Sequence, residues 1–291
     1  MRVAIIENMA GTPHGQVGAA LAEVNAELDV ISVYLGEAVP DNADSHDALV
    51  VFGGEQSAVD DEKYPYLPRL AKLMRDFTEA DKPVLGICLG SQLLARAHGG
   101  ENLLKVTREF GWENIEVNEE GRQDPVFSSV GDNFRIFQWH YDSFTLPQDA
   151  VRLASNGAAI NQAFRIGRAS YGTQFHFEAD TSVVEGWRSN FADSIETISP
   201  GWLAGYADQK AQNGTQADVA GLALARAWVK LIEQRDNTTQ KQDQQPVLAG
   251  SLRSKTAVPA LLSFFQQALR VVDKALTAFT HIHQSCHISR A

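Results

Sequence analysis

Along its N-terminal part the chain alternates between two kinds of apolar pattern. Short, mostly apolar runs at 3–6, 28–34, 48–52 and 83–88 read as extended strands, and the stretches 16–26, 64–80 and 89–97 between and after them read as helices. Alternation of strands with helices is how a parallel sheet with helices on its faces is built, so the pattern predicts an α/β fold. Shorter strand-like pieces follow at 114–117, 134–139, 150–154, 162–166 and 170–177, and the remainder is helical up to a segment at 218–235. No internal repeat is present.

The join between the strand at 83–88 and the helix after it carries the chemistry. Gly86-Ile87-Cys88-Leu89-Gly90 puts a cysteine between two glycines where a strand hands over to a helix. Glycines there permit a sharp turn that pushes the residue at its apex out above the sheet, the geometry of a nucleophile elbow. Downstream, Gln174-Phe175-His176-Phe177-Glu178 reads as the end of a strand, with His176 and Glu178 projecting from one face because they lie two residues apart. A free thiol, with a pKa of about 8.5, is only slightly ionised near neutrality. A nucleophilic cysteine therefore benefits from an imidazole, and the imidazole from a carboxylate that fixes its tautomer. Cys88, His176 and Glu178 supply the three roles.

With both motifs present, the chain resembles the class I, triad-type glutamine amidotransferases, especially stand-alone proteins similar to the amidotransferase domain of GMP synthase. The resemblance also covers Gly53-Gly54 after a strand, Asp60-Asp61-Glu62-Lys63-Tyr64-Pro65, Phe110-Gly111-Trp112, Trp139-His140-Tyr141-Asp142-Ser143-Phe144 and Asn161-Gln162-Ala163-Phe164-Arg165, all in order. Two positions depart from it: Glu55 stands where many members have proline after Gly-Gly, and Phe177 where many have proline between His and Glu. The resemblance implies a flavodoxin-like, mainly parallel central sheet flanked by helices. It implies attack by Cys88 on the γ-amide of glutamine, an oxyanion held by the N–H groups of Gly54 and Leu89, and a substrate pocket formed by Gln92 and by the backbone of Ser143 and Phe144. It implies no cofactor. A separate ammonia-accepting protein is the expected partner, because no synthetase domain is visible. A γ-glutamyl peptide or amide hydrolase is the alternative activity, and a non-catalytic glutamine-sensing or scaffold protein the alternative of another class. His140 and Asp142 are read either as a hydrogen-bonded loop or as substrate contacts.

Composition narrows the setting. The 291 residues, 44% of them hydrophobic, can bury a sizeable core. Two cysteines, Cys88 and Cys286, argue against a disulfide framework and for a reducing compartment. Residues 1–7 read as a first strand with no export signal, so a cytoplasmic location is expected. No apolar stretch reaches the ~20 residues that span a bilayer. A net charge of -11 disfavours nucleic acid and anionic membranes as partners.

Charge is uneven, and that marks an organisation. Residues 251–291 carry Arg253, Lys255, Arg270, Lys274 and Arg290 against the single acid Asp273, while the rest of the chain is strongly acidic. The expectation is a catalytic domain at 1–236, a polar Gln-rich linker at 237–256 and a helical tail at 257–291. In the tail Val258, Leu262, Phe265, Leu269, Val272, Leu276 and Phe279 form an apolar stripe fit for self-association or docking. Gly11, Gly15 and Gly18 do not have dinucleotide-loop spacing, Lys255-Thr256 lacks the glycine of a P-loop, and the His281, His283, Cys286 and His287 group has no second paired ligand set. No metal or nucleotide is expected.

Overall fold

The computed structural model describes residues 1–243 of the chain. Eleven strands and seven α-helices follow one another, and the first of them set the frame: β1 (Arg2–Glu7), α1 (Gly15–Glu23), β2 (Glu27–Ser32), β3 (Ala48–Val51), α2 (Leu67–Glu79), β4 (Val84–Ile87) and α3 (Leu89–Ala97). Three of the four runs that predicted strands are buried; Val3, Ala4, Ile5 and Ile6 of β1 and Ala48, Leu49, Val50 and Val51 of β3 have no exposed surface, while Leu28 and Val30 of β2, at the edge of the sheet, are exposed. Such runs without polar alternation are what a strand covered on both faces requires. Helix α1 stops short of its predicted end because Asn25 turns left-handed, at φ 52°. Helix α2 starts later than predicted, with Pro68 in its first turn, where a missing N–H costs nothing.

The rest of the chain completes the sheet and covers it. It comprises β5 (Asn102–Leu103), β6 (Glu109–Val117), α4 (Glu119–Gln123), β7 (Asn133–His140), β8 (Ser143–Phe144), β9 (Ala150–Ser155), β10 (Ala163–Ile166), β11 (Ser170–Thr173), α5 (Thr181–Asn190), α6 (Ala192–Ile198) and α7 (Tyr206–Asp243). The nine-stranded sheet runs β2-β1-β3-β4-β11-β10-β9-β6-β7. Its first five strands are parallel, and from β11 onward each neighbour is antiparallel. The pair β5 and β8 forms a separate small sheet.

Side chains alternate across β1 into two cores. Val3 and Ile5 join α1 and α7 through Val17, Leu21, Leu224 and Trp228, while Ala4 and Ile6 join α2 and α3 through Leu70, Met74, Phe77 and Leu93. In the parallel half the order 2-1-3-4 reverses direction between β1 and β3, and a cleft opens beyond the strand ends at such a point. Helix α7 continues past residue 237 to Asp243, into the stretch read as a linker. The remainder of that stretch and the tail at 257–291, with its apolar stripe, lie outside the described residues. Among the described residues no helix is long and apolar enough to cross a membrane.

Candidate active site

Cys88 sits between β4 and α3 with φ 52° and ψ −108°, a conformation that a residue bearing a Cβ seldom adopts. The flanking glycines serve the elbow by close approach. A Cβ on Gly86 would lie 2.4 Å from the Gly90 carbonyl oxygen, and one on Gly90 would lie 2.1 Å from that of Val51. Helix α3 therefore presses directly onto β3 and β4, and the strain falls on the cysteine itself. Its N–H donates to the Thr173 carbonyl of β11 at 2.8 Å, and its carbonyl caps the helix by accepting from Ser91 and Gln92. Strain of this kind persists where the surroundings over-determine it.

His176 and Glu178 meet differently from the expectation. Strand β11 ends at Thr173, and the two residues lie beyond it, not on a strand face. The His176 N–H donates to the Phe137 carbonyl in an isolated bridge to β7, and the chain then turns, so that Glu178 Oε1 comes to 2.7 Å from His176 Nδ1. The turn is clamped from below by α1, whose Gln16 N–H donates to the Glu178 carbonyl at 2.9 Å. That contact explains Gly15: with φ +44°, it would carry a Cβ only 1.9 Å from the same oxygen.

Nδ1 of His176 is occupied by Glu178, which leaves the other ring nitrogen for Cys88. The imidazole and the cysteine are neighbours across Gly53, where a Cβ would lie 3.1 Å from His176 Cε1 and 3.5 Å from Cys88 Cβ. Burial opposes the charged imidazolium, but the charges of Glu178 and Cys88 and hydrogen bonds to both outweigh it. His176 is raised from 6.5 to about 10.

These groups open onto a cavity of about 710 Å³, lined by Cys88, His176 and Glu178 together with Gly53, Gly54, Leu89 and Gln92. Leu89, as the first residue of α3, has no acceptor for its N–H within the helix. Among the described residues no acceptor bonds the N–H of Leu89 or of Gly54. Ser143 and Phe144 follow directly on the cavity-lining segment that ends at Asp142. They are buried as β8, paired with Leu103 and Asn102, and the residues just before them, Trp139 to Asp142, line the cavity. His140 has the hydrogen-bonded character of the first reading: its buried ring lies 2.9 Å from the Asp142 carbonyl through Nδ1 and 2.9 Å from Glu109 Oε2 through Nε2. Asp142 in turn accepts from the Lys105 N–H at 2.8 Å.

Several residues at the site were given no role from sequence. Gln174 donates its side-chain amide to Cys88 Sγ at 3.6 Å and accepts from Gln92 at 3.2 Å. Asn8, fully buried after β1, donates to the Phe52 carbonyl at 2.8 Å and accepts from the Gln56 side chain at 2.6 Å on its own carbonyl, so it holds the turn containing Gly54. Glu55 in that turn is exposed. Trp187 of α5 and the adjoining Phe191 also line the cavity. Among the described residues no group of three His, Cys, Asp or Glu side chains could hold a metal ion, and the His281 to His287 group lies outside them.

An α/β sheet with a cysteine elbow over a His–Glu pair places the chain in a recognisable class. Residues 14–187 match the pattern of the class I glutamine amidotransferases, and the chain belongs to that family. It is similar to the glutamine amidotransferase-like protein YfeJ of Salmonella typhimurium, 38% identical over 157 residues that cover 53% of this chain and 66% of that one. It is also similar to the glutamine-hydrolysing GMP synthase of Christiangramia forsetii, 29% identical over 184 residues covering 60% of this chain and 34% of the synthase. The chain thus spans about two thirds of the first relative and a third of the second. A solved glutamine amidotransferase from Thermotoga maritima superposes with a TM-score of 0.69 at 28% identity, over 80% of this chain and 98% of that one.

Proposed function

We propose that this chain hydrolyses the γ-amide of glutamine through a thioester on Cys88, releasing ammonia and glutamate. The observation that carries the reading is the strained Cys88 facing an imidazolium that Glu178 holds at 2.7 Å. The Cys88 thiolate adds to the γ-carbonyl carbon, and the resulting oxyanion is held by the N–H groups of Leu89 and Gly54, the former at the positive end of α3. His176 protonates the departing ammonia and then activates the water that hydrolyses the thioester, with Glu178 fixing its tautomer throughout. Gln92, Tyr141 and Asp142 line the substrate pocket, and the backbone of Ser143 and Phe144, which follows directly, meets the amino-acid head.

Ammonia made here needs an acceptor, and a separate protein is the natural one, since the longer relatives named GMP synthase extend well beyond the matched region. A cytoplasmic location belongs to the same proposal, because a free nucleophilic thiol persists in a reducing compartment. The non-catalytic alternative leaves the strained elbow without a purpose. The cavity volume favours a second reading, hydrolysis of a γ-glutamyl amide larger than glutamine.

The test is covalent labelling. Diazo-oxo-norleucine, a glutamine analogue that alkylates such cysteines, is expected to add to Cys88 and to abolish glutamate release, as does Cys88→Ala. Labelling of Cys286 with Cys88 untouched contradicts the assignment.

A further inference from the structure

The cavity is larger than glutamine needs, and on the side of His176 its wall carries a cluster of three aromatic rings. Its volume of about 710 Å³ falls among pockets that take drug-sized ligands. Trp139, Trp187 and Phe191 line it half-buried, neither sealed in the core nor free in solvent. They stand edge to face, with Trp139 to Trp187 at 5.6 Å and Trp139 to Phe191 at 5.8 Å between ring centroids. Trp187 also meets the His176 ring at 5.2 Å and 82°. The group that gives a proton to the departing amine is therefore flanked by an indole, and the amine leaves beside it.

Ammonia is small and polar and gains nothing from an indole wall. A flat apolar group gains both the burial of its area and edge-to-face contacts with the rings. We propose that the preferred substrate is a γ-glutamyl amide whose amine part is aromatic or broadly apolar, seated against Trp139, Trp187 and Phe191. The proposal rests on the triad chemistry of the proposed function. The bonds made and broken follow from it: Cys88 sulfur bonds the γ-carbonyl carbon, the carbon–nitrogen bond breaks with its electron pair going to nitrogen, and His176 supplies the proton that completes the amine. Water then cleaves the thioester, releasing glutamate and returning the thiol.

The experiment uses the full-length chain and compares kcat/KM for γ-glutamyl-phenylalanine, γ-glutamyl-benzylamide, γ-glutamylglycine and glutamine. The aromatic substrates are expected to exceed the other two by about tenfold or more. Phe191→Ala is expected to cut the ratio of aromatic to glycyl turnover by about tenfold, and Phe191→Leu, which keeps apolar bulk, to retain most of it. Binding provides a readout apart from turnover: tryptophan fluorescence of the Cys88→Ala protein should respond to γ-glutamyl-phenylalanine at lower concentration than to γ-glutamylglycine. Glutamine hydrolysed as well as or better than the aromatic amides overturns this proposal and leaves the glutaminase reading standing, as when the aromatic wall receives an ammonia-accepting protein instead. If no γ-glutamyl compound is turned over and diazo-oxo-norleucine leaves Cys88 unlabelled, both readings fall.

Discussion

Gln174 points its side-chain amide at the sulfur of Cys88, 3.6 Å away, while its oxygen accepts from Gln92. An amide N–H aimed at sulfur stabilises the anionic form that attacks, and Gln92 fixes which end of the amide faces it. A hydrogen bond to a charged group contributes roughly 1.5–3 kcal/mol, so Gln174→Leu is expected to lower both kcat and the iodoacetamide labelling rate of Cys88 by about ten- to a hundredfold. Gln92→Leu should cost less at the sulfur while raising KM, because Gln92 also lines the cavity. Unchanged labelling in a folded Gln174→Leu protein contradicts the role.

The pH profile follows from His176. With its pKa raised to about 10, the imidazolium persists through neutrality, and kcat/KM should hold level across pH 7–9 and fall as the acid form is lost above about 10. The same shift bears on stability. A raised folded-state value stabilises fully below the unfolded value near 6.5, with the benefit declining as pH rises and gone above about 10. Urea unfolding of the native protein and His176→Asn should therefore show a gap that narrows between those limits. An alkaline limb near pH 7 contradicts the ion pair.

Glu178 is held through its backbone, and Gly15 is the sensitive point. Gly15→Ala puts a methyl where the Glu178 carbonyl lies 1.9 Å away, at φ +44°. The expected cost is about 2–4 kcal/mol of stability, with a loss of kcat greater than the loss of folded protein. Thermal melts and active-site titration on the same sample separate the two.

The Gly54 turn is aimed by Asn8 more than by its exposed neighbour. Asn8→Ala leaves the Phe52 carbonyl without its donor and the Tyr66 hydroxyl without its acceptor, while the backbone carbonyl that receives Gln56 is kept, so kcat should drop about tenfold with KM little changed. Glu55→Pro, at an exposed position, should preserve stability and raise or steady the basal rate. A lower basal rate in that variant removes Glu55 from control of the turn.

What the sequence made legible was local. The elbow could be read because two glycines, a cysteine and the strand-to-helix change all fall within five residues, and the centre of the parallel half could be read because β1, β3 and β4 are apolar almost throughout. His176 and Glu178 were legible as partners but not as a turn, since the break after Thr173 depends on a bridge to Phe137, distant in sequence. The pairing of Ser143 and Phe144 with β5 was not legible either, since its partners Leu103 and Asn102 lie about forty residues earlier. Asn8, Gln174, Trp187 and Phe191 gave no local signal at all. An asparagine after a strand, or an aromatic on a helix with another just past its end, reads as ordinary packing until the fold turns them toward one cavity.

The central claim is a γ-glutamyl thioester on Cys88. The direct measurement is intact-protein mass spectrometry after acid quench, with glutamine or a γ-glutamyl amide added and the reaction stopped within its first turnover, followed by peptide mapping. The predicted result is one γ-glutamyl adduct on the peptide containing Cys88, absent from Cys88→Ala. Product formation in the native protein with no adduct at any quench time, and undiminished turnover in Cys88→Ala, would contradict it.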